Sequence, residues 1–550
     1  SFSGSSISYG SQQQSTEQEN QGTGSVASTV GAISGNVSIT AGQTYTQVGS
    51  DVMAPGGDIT IAAQDVQITE ARETHRSEIE QKFEQSGITL AVSTPMLTAM
   101  QTITSQMEAA GDTKDGRMQG LAAANSAFAV NNALNDVKKG QSKPDATAAQ
   151  QAGGVNFSLS FGSSSSESKS LQTSDTARGS SLAASGNVSI TASGAGEHSN
   201  ILIQGSEVSA GGNATLNAEG DVNLLAAQKT ASLSGSNKSD SGSVGISFGT
   251  GGFGVSASAS SARGKEAGDD LVHSNTHITA GNVVHIQSGG DTTLQGALVK
   301  AETIQAEVGG SLLIESLQDT STYDSQHKSA SASVTIGVGA SGSFSASKSN
   351  VNSDFASVAE QSGFKAGDGG FQVNVQGNTD LIGGAITSNQ AAVEQGKNSF
   401  TTGGTLSLSD VQNKAEYSAS STSVGVGGGS DGKKKGMTGV GVGVGSDSGN
   451  ASSTTTAGIS SIAGDVAMRS TDAETGIARI FEKERVQKEI DAQVKITEMF
   501  GREASKAIGD HAAVQMKQAG NLRAQASAET DPDKRAQLNA QADQLEAAWG

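Results

Sequence analysis

At 550 residues the chain could bury several ordinary cores, but 72 glycines, 4 prolines, 3% aromatic and 34% apolar residues argue against ordinary globules and for a thin β-solenoid, where each coil needs only a narrow inward stripe. A net charge of −20 disfavours nucleic acid as a partner and simple adhesion to anionic lipid, since both are held by exposed cations. Zero cysteines rule out disulfides and thiolate-bound metal, and no apolar run reaches the roughly 18 residues of a transmembrane helix.

The chain opens on Ser1-Phe-Ser-Gly-Ser-Ser-Ile-Ser, similar to Ser343-Phe-Ser-Ala-Ser further on, so residues 1–28 read as the end of a preceding hairpin in a longer protein. A solenoid is expected over 29–471. Its unit is Ser34-Gly-Asn-Val-Ser-Ile-Thr-Ala41, repeated without change at Ser185 to Ala192 and more loosely at Ala280 to Gln287 and Gly370 to Gln376. A Gly-Asn turn followed by Val-x-Ile turns two apolar side chains inward from one short strand. Equivalent positions such as Ile203 and Leu224, or Ile286 and Ile304, lie 18 to 21 residues apart, a plausible turn of a parallel β-helix.

Gly/Ser-rich hairpins interrupt the coils near 87–161, 243–260, 333–348 and 423–448, and Val244, Val334 and Val424 stand 90 residues apart. In each arm apolar residues alternate with Gly and Ser, so one face is apolar. The first hairpin presents Ile88, Leu90 and Val92, then Val155, Phe157, Leu159 and Phe161. The second presents Val244, Ile246 and Phe248, then Phe253 and Val255. The third presents Val334, Ile336, Val338 and Phe344, and the fourth Val424, Val426, Val440, Val442 and Val444. An insertion over 95–140 splits the first hairpin. Thr94-Pro95 starts a helix with Met96, Leu97, Met100, Ile103 and Met107 as a packing stripe, and a second helix is expected from about Leu121 to Val137. From Asp472 the pattern turns helical: an amphipathic helix around Val486, Ile490 and Val494, a further stretch from Glu503 to Lys517, and a last one from Asp533. These helices are expected to cover the open end of the solenoid.

The Ser-Gly-Asn-Val-Ser-Ile-Thr-Ala coils, the Ser-Val-Gly-Ile-Ser-Phe-Gly hairpins and Glu484-Arg-Val-Gln-Lys-Glu-Ile-Asp-Ala-Gln-Val-Lys-Ile-Thr-Glu-Met-Phe-Gly501 together resemble two-partner-secreted filamentous haemagglutinins and contact-dependent growth inhibition exoproteins of the CdiA type. The match is to the second haemagglutinin-repeat region and, over 472–550, the start of the pretoxin region. The resemblance implies a right-handed coil, a secreted or cell-surface location in a Gram-negative bacterium, and an outer-membrane secretion partner. It also implies a C-terminal toxin, and engagement of a target cell's outer membrane or one of its proteins. The secretion domain, the Val-Glu-Asn-Asn boundary motif and a toxin are not within these residues.

Catalytic and cofactor chemistry find little support. His273, His277 and His285 with Asp269 and Asp270 are interrupted by Gly281 and read as structural rather than as zinc ligands. Gly367-Asp-Gly-Gly370 reads as a turn, and Gly439-Val-Gly-Val-Gly-Val-Gly445 as a strand, since it lacks the Lys-Ser/Thr of a phosphate loop. Lys433 to Lys435 mark a solvated hairpin tip or a contact with lipid headgroups. The expected fold class is therefore mainly β: a parallel β-helix with four projecting hairpins, a helical insertion and C-terminal helices, without metal, cofactor or enzymatic activity. The expected function is delivery, with the eight apolar-faced arms either entering a membrane as a sheet or barrel or packing as a soluble sheet. A passive adhesin stalk is the alternative, and an enzyme acting on polysaccharide a third.

Overall fold

A computed structural model of the chain describes residues 2–3, 6–141, 147, 150, 154–250, 252–337, 339–430 and 435–549. Eight coils stack into a three-walled parallel β-helix. One coil shows the plan: Ser181–Ala184 forms the first wall, Val188–Ala192 the second and Ile201–Gln204 the third. Each strand pairs in parallel with its equivalents in the coils above and below, as Val188 does with Ile59 and Ala214. Period-2 alternation sends Val188, Ile190, Ile201 and Ile203 into one continuous core, where each is at most 1% exposed. Burying such a side chain contributes about 1.5–3 kcal/mol, and the core repeats this in every coil.

The coils hold to length less strictly than their sequence period suggests. Ile203 does pair with Leu224, but Ile286 lies opposite Ala306, and it is Val284 that meets Ile304. Between Val188 and Ala214 an extra turn, Gly196–His198, lengthens the coil. Side-chain ladders hold the corners. The Asn187 backbone N–H donates to Asp58 Oδ1 at 2.6 Å and that of Asn213 to Asn187 Oδ1 at 2.9 Å. A second ladder runs through Asn200, Asp221 and Asp291. These contacts satisfy backbone donors where the strand pairing lapses, which explains the Gly-Asn signature.

The hairpins leave the coils at one corner, between the third and first walls, and pair edge to edge. Their arms, with one short and one long strand before them, form a ten-stranded antiparallel sheet in chain order. We number these strands β1 (Phe2–Ser3), β2 (Ser6–Thr23), β3 (Ala71–Ser93), β4 (Asn156–Arg178), β5 (Ala227–Gly249), β6 (Gly252–Ser274), β7 (Gln318–Gly337), β8 (Ala340–Val358), β9 (Val411–Ser430) and β10 (Lys435–Thr455). The arms are longer than the apolar tips the sequence marks: the polar approach is the lower half of one continuous strand. At about 3.4 Å per residue the 23 residues of β5 reach roughly 75 Å from the solenoid.

A hairpin leaves every second coil. In the intervening coils the same corner is closed by two residues beginning with a glycine of positive φ: Gly49 at 52°, Gly205 at 54°, Gly296 at 64° and Gly383 at 57°. A Cβ on Gly205 would lie 2.3 Å from that of Ala227, the first residue of β5, so the corner also has no room for a side chain.

Helices α1 (Pro95–Asp112) and α2 (Gly116–Gln141) project from the first hairpin tip, and α3 (Lys483–Ala528) and α4 (Pro532–Trp549) close the chain. Two expectations need correction. The packing stripe of α1 is Ala99, Thr102, Gln106 and Ala109, while Met96, Met100 and Met107 face solvent, because small side chains let the helices approach closely. The C-terminal helices do not cover the solenoid: α3 lies on the hairpin sheet, as one helix from 483 to 528 where two were expected. The last coil is closed instead by Gly458–Ile459 and the antiparallel Ala463–Gly464, with Ile459 inside the core.

Candidate functional site

The tip half of the hairpin sheet carries the apolar residues read from the sequence, and cross-strand register places them on one face. One row runs Tyr9, Ile88, Phe161, Val244, Ala257, Val334 across β2 to β7. The next row toward the tips runs Ile7, Leu90, Leu159, Ile246, Val255, Ile336. Nearest the tips Val92, Phe157, Phe248 and Phe253 are neighbours, and the Phe157 and Phe248 rings stack with centroids 5.6 Å apart. Phe344 continues the face through Val426 to Val440, and Val424 sits opposite Val442, with Val444 one step below. Val155 lies one residue ahead of β4 and is half-buried. Val338 lies outside the described residues, as do Lys433 and Lys434.

Among the described residues nothing packs on this face. Phe161 is 57% exposed, Phe253 57%, Ile336 61% and Val442 51%. Nine long strands at about 4.8 Å, with an apolar stretch near 20 Å deep, present on the order of 900 Å². The largest apolar patch on an ordinary monomer is about 300–600 Å², so this face is beyond what solvent exposure alone accounts for.

The opposite face is glycine and serine, and its use was not legible in the sequence. Helix α3 lies on β9 and β10 at van der Waals contact with their backbones: a Cβ on Gly441, Gly443 or Gly445 would come within 2.4 to 2.8 Å of the carbonyl oxygens of Glu498, Val494 and Ile490. The Gly-Val-Gly-Val repeat is thus two surfaces at once, valines outward and a glycine groove beneath the helix. Phe481 wedges between Tyr323 and Tyr417, and Arg485 reaches Asp447 at 3.1 Å. Buried Glu489 joins α3 to the helical insertion, accepting from Thr113 Oγ1 at 2.6 Å and the Lys114 backbone N–H at 2.9 Å. Burial would raise its pKa, but hydrogen bonds from Thr113, Gln493 and the Lys114 amide hold it below the ordinary 4.5.

The Hemagglutinin repeat family model matches residues 8–147 and 159–330. The chain belongs to that family. Among its relatives, a "tRNA nuclease CdiA" of Escherichia coli (strain NC101) is 37% identical over 357 residues, 63% of this chain and 11% of that one. A "Deoxyribonuclease CdiA" of Yersinia pseudotuberculosis serotype O:3 (strain YPIII) is 35% identical over 363 residues, 64% of this chain and 33% of that one. A "tRNA nuclease CdiA" of Yersinia mollaretii is 34% identical over 474 residues, 82% of this chain and 15% of that one. No solved structure matches.

In this haemagglutinin-repeat chain the histidines fall apart rather than together. His277 Nε2 bonds Glu360 Oε2 at 2.8 Å, His273 lies beside Asp319, and His285 stands on a second-wall strand. Among the described residues no group of three or more His, Asp and Glu could hold a metal. Gly367 to Gly370 form a bent corner within the strand Gly363–Val375, where Asp368 accepts from Asn389. Sequence reading missed Ile7 and Tyr9 as members of the apolar face. Their alternation is short, and only pairing with Leu90 and Ile88 reveals it.

Proposed function

We propose that this chain is the membrane-engaging delivery segment of a secreted, cell-surface, toxin-carrying exoprotein of the CdiA type. The apolar face of its hairpin sheet is the surface that enters or lies on a target outer membrane. The observation that carries this is the continuous exposed band from Tyr9 to Val444, which none of the described residues covers. Likeness to the CdiA proteins supports an outer-membrane secretion partner and a toxin domain elsewhere in the whole protein, with 472–550 as the start of a pretoxin region. The nucleases named among those relatives assign no activity to these residues, which act by binding rather than by catalysis. A passive adhesin stalk is the second reading, favoured by the eight-coil stack, which is a rigid spacer by itself.

The deciding experiment is flotation of the 550-residue chain with vesicles of outer-membrane lipids, paired with conductance across a planar bilayer. Replacing Ile246→Asp and Phe248→Asp is expected to weaken vesicle binding by at least about a hundredfold, since two buried side chains are each worth about 1.5–3 kcal/mol. Unchanged binding by a folded double variant, or no binding by the unaltered chain, would leave the stalk reading in place.

A further inference from the structure

Six residues toward the solenoid from the Ile88–Phe161–Val244–Ala257–Val334 row, about 20 Å along the strands, the same face carries a row of charge. Lys82, Glu167, Lys238, Arg263, Lys328 and Lys348 are register partners on the six consecutive strands β3 to β8. The even spacing from the apolar residues puts them on the exposed apolar side of the sheet, and all five cations are exposed.

On β3 to β5 the charges in this row and its neighbours cancel. Lys82 and Lys169 both reach Glu80, at 2.5 and 3.4 Å, Lys169 reaches Glu167 at 3.2 Å, and Lys238 reaches Asp240 at 3.3 Å. On β6 to β8 they do not. Ser261, Ala330 and Ala346 stand above the row, Arg263, Lys328 and Lys348 in it, and Lys265, Gln326 and Asn350 below: four cations and no carboxylate. The acids at the margins of this block are Asp324, diagonal to Lys265, and Asp240, diagonal to Arg263 and held below its ordinary range first by Ser261 and then by Lys238 and Arg263. Like charges directly opposite one another destabilise a sheet. Lys238, Arg263, Lys328 and Lys348 are four such neighbours in succession, in a chain whose net charge is −20 and which has 55 acidic residues to place between them.

Resting on the membrane-engaging reading above, we propose that this row is a binding site for the anionic headgroups of a bilayer: Arg263, Lys328 and Lys348, with Lys265 beside them, contact lipid phosphates while the apolar tips occupy the hydrocarbon. The arrangement has the order of a membrane interface, an apolar band followed by a cationic belt at its polar margin. It also resolves the repulsion along the row, because the missing counter-charge comes from the lipid. The local belt thereby overrides what the overall negative charge implies about anionic surfaces.

The test uses phosphatidylcholine vesicles with and without phosphatidylglycerol, the full chain, and the triple variant Arg263→Gln, Lys328→Gln, Lys348→Gln. The unaltered chain is expected to bind the anionic vesicles more tightly, with that gain lost at high salt. The triple variant is expected to lose about a hundredfold on anionic vesicles and nothing on phosphatidylcholine alone, each cation near the surface being worth roughly a factor of five. Its melting temperature is expected to stay level or rise as the repulsion is relieved. Equal binding to both vesicle types, or a triple variant that binds anionic vesicles as the unaltered chain does, overturns the headgroup site while the apolar-face reading stands. The second outcome would direct the row to an acidic protein surface. A chain that binds neither vesicle overturns both.

Discussion

His277 and Glu360 join residues 83 apart in sequence, one on a first-wall strand and the other where β8 returns to the solenoid. The hydrogen bond to Glu360 raises the His277 pKa above its ordinary 6.5 against the opposing effect of burial, and the same bond lowers that of Glu360 below 4.5. Stability from a raised histidine is complete below its unfolded value and is lost as pH rises through the folded one. Stability from a lowered carboxylate is present above its unfolded value and is lost as pH falls through the folded one. The pair therefore contributes most between about 4.5 and 6.5 and fades toward alkaline pH. Both groups are partly exposed, so the contribution stays below about 1 kcal/mol. His277→Gln is expected to flatten a small fall in melting temperature between mildly acidic and mildly alkaline solution. A fall of the same size in the variant would assign it to other groups.

Among the elements, α3 depends on two partners that lie far from it in sequence. The glycines of β9 and β10 let it approach the sheet, and the α1–α2 insertion reaches it through Glu489 and through Asn125, whose Nδ2 donates to the Ile496 carbonyl at 2.8 Å. Glu489→Ala would leave the Thr113 hydroxyl and the Lys114 amide without their acceptor in a buried contact, a cost of about 2–4 kcal/mol. The loss is expected to be local. Amides of 95–141 should exchange faster with solvent while those of the core strand Val188–Ala192 stay protected, and uniform protection in the variant would mean that the helices hold together without this carboxylate. The helices themselves were legible: Thr94-Pro95 marks the start of α1, with Thr94 Oγ1 accepting from the Leu97 N–H at 3.2 Å. Their docking was not, because the residues that receive them are glycine and alanine, which carry no amphipathic signal.

At the scale of the whole molecule, two spacings coincide. Successive coils of a β-helix and successive strands of a sheet are both about 4.8 Å apart. A hairpin has two arms and leaves every second coil, so eight arms rise over eight coils and the sheet and solenoid advance in step. The 90-residue period is two coils plus one hairpin. Deleting 227–275 would leave Ala226 and Thr276 as a two-residue corner of the kind that Gly205 and Ser206 make, with Ala226→Gly supplying the positive φ. That variant is expected to keep a protected core at Val188–Ala192 but to open a two-strand gap of about 10 Å in the sheet, exposing the amides of β4 and β7 to exchange. Retained protection of β4 and β7 would show that the hairpins can close ranks without the solenoid setting their spacing.

The sequence by itself determined the coil unit, the four hairpin tips and, from Ile88 to Val444, the shared face of the apolar residues within each tip arm. All of these depend on spacings of two residues within one strand or on repeats along one chain. The tertiary structure alone decided which faces meet. Whether the Gly/Ser side would be a lumen, a sheet interior or a helix seat depends on α3 folding back onto glycines outside its own segment, such as Gly441 beneath Glu498, and the Arg263–Lys328–Lys348 row exists only through the register of β7 with β6, two strands separated by the coils between Ser274 and Gln318. Pairing between distant segments is set by the common pitch of coil and sheet, a geometric condition that no local pattern records.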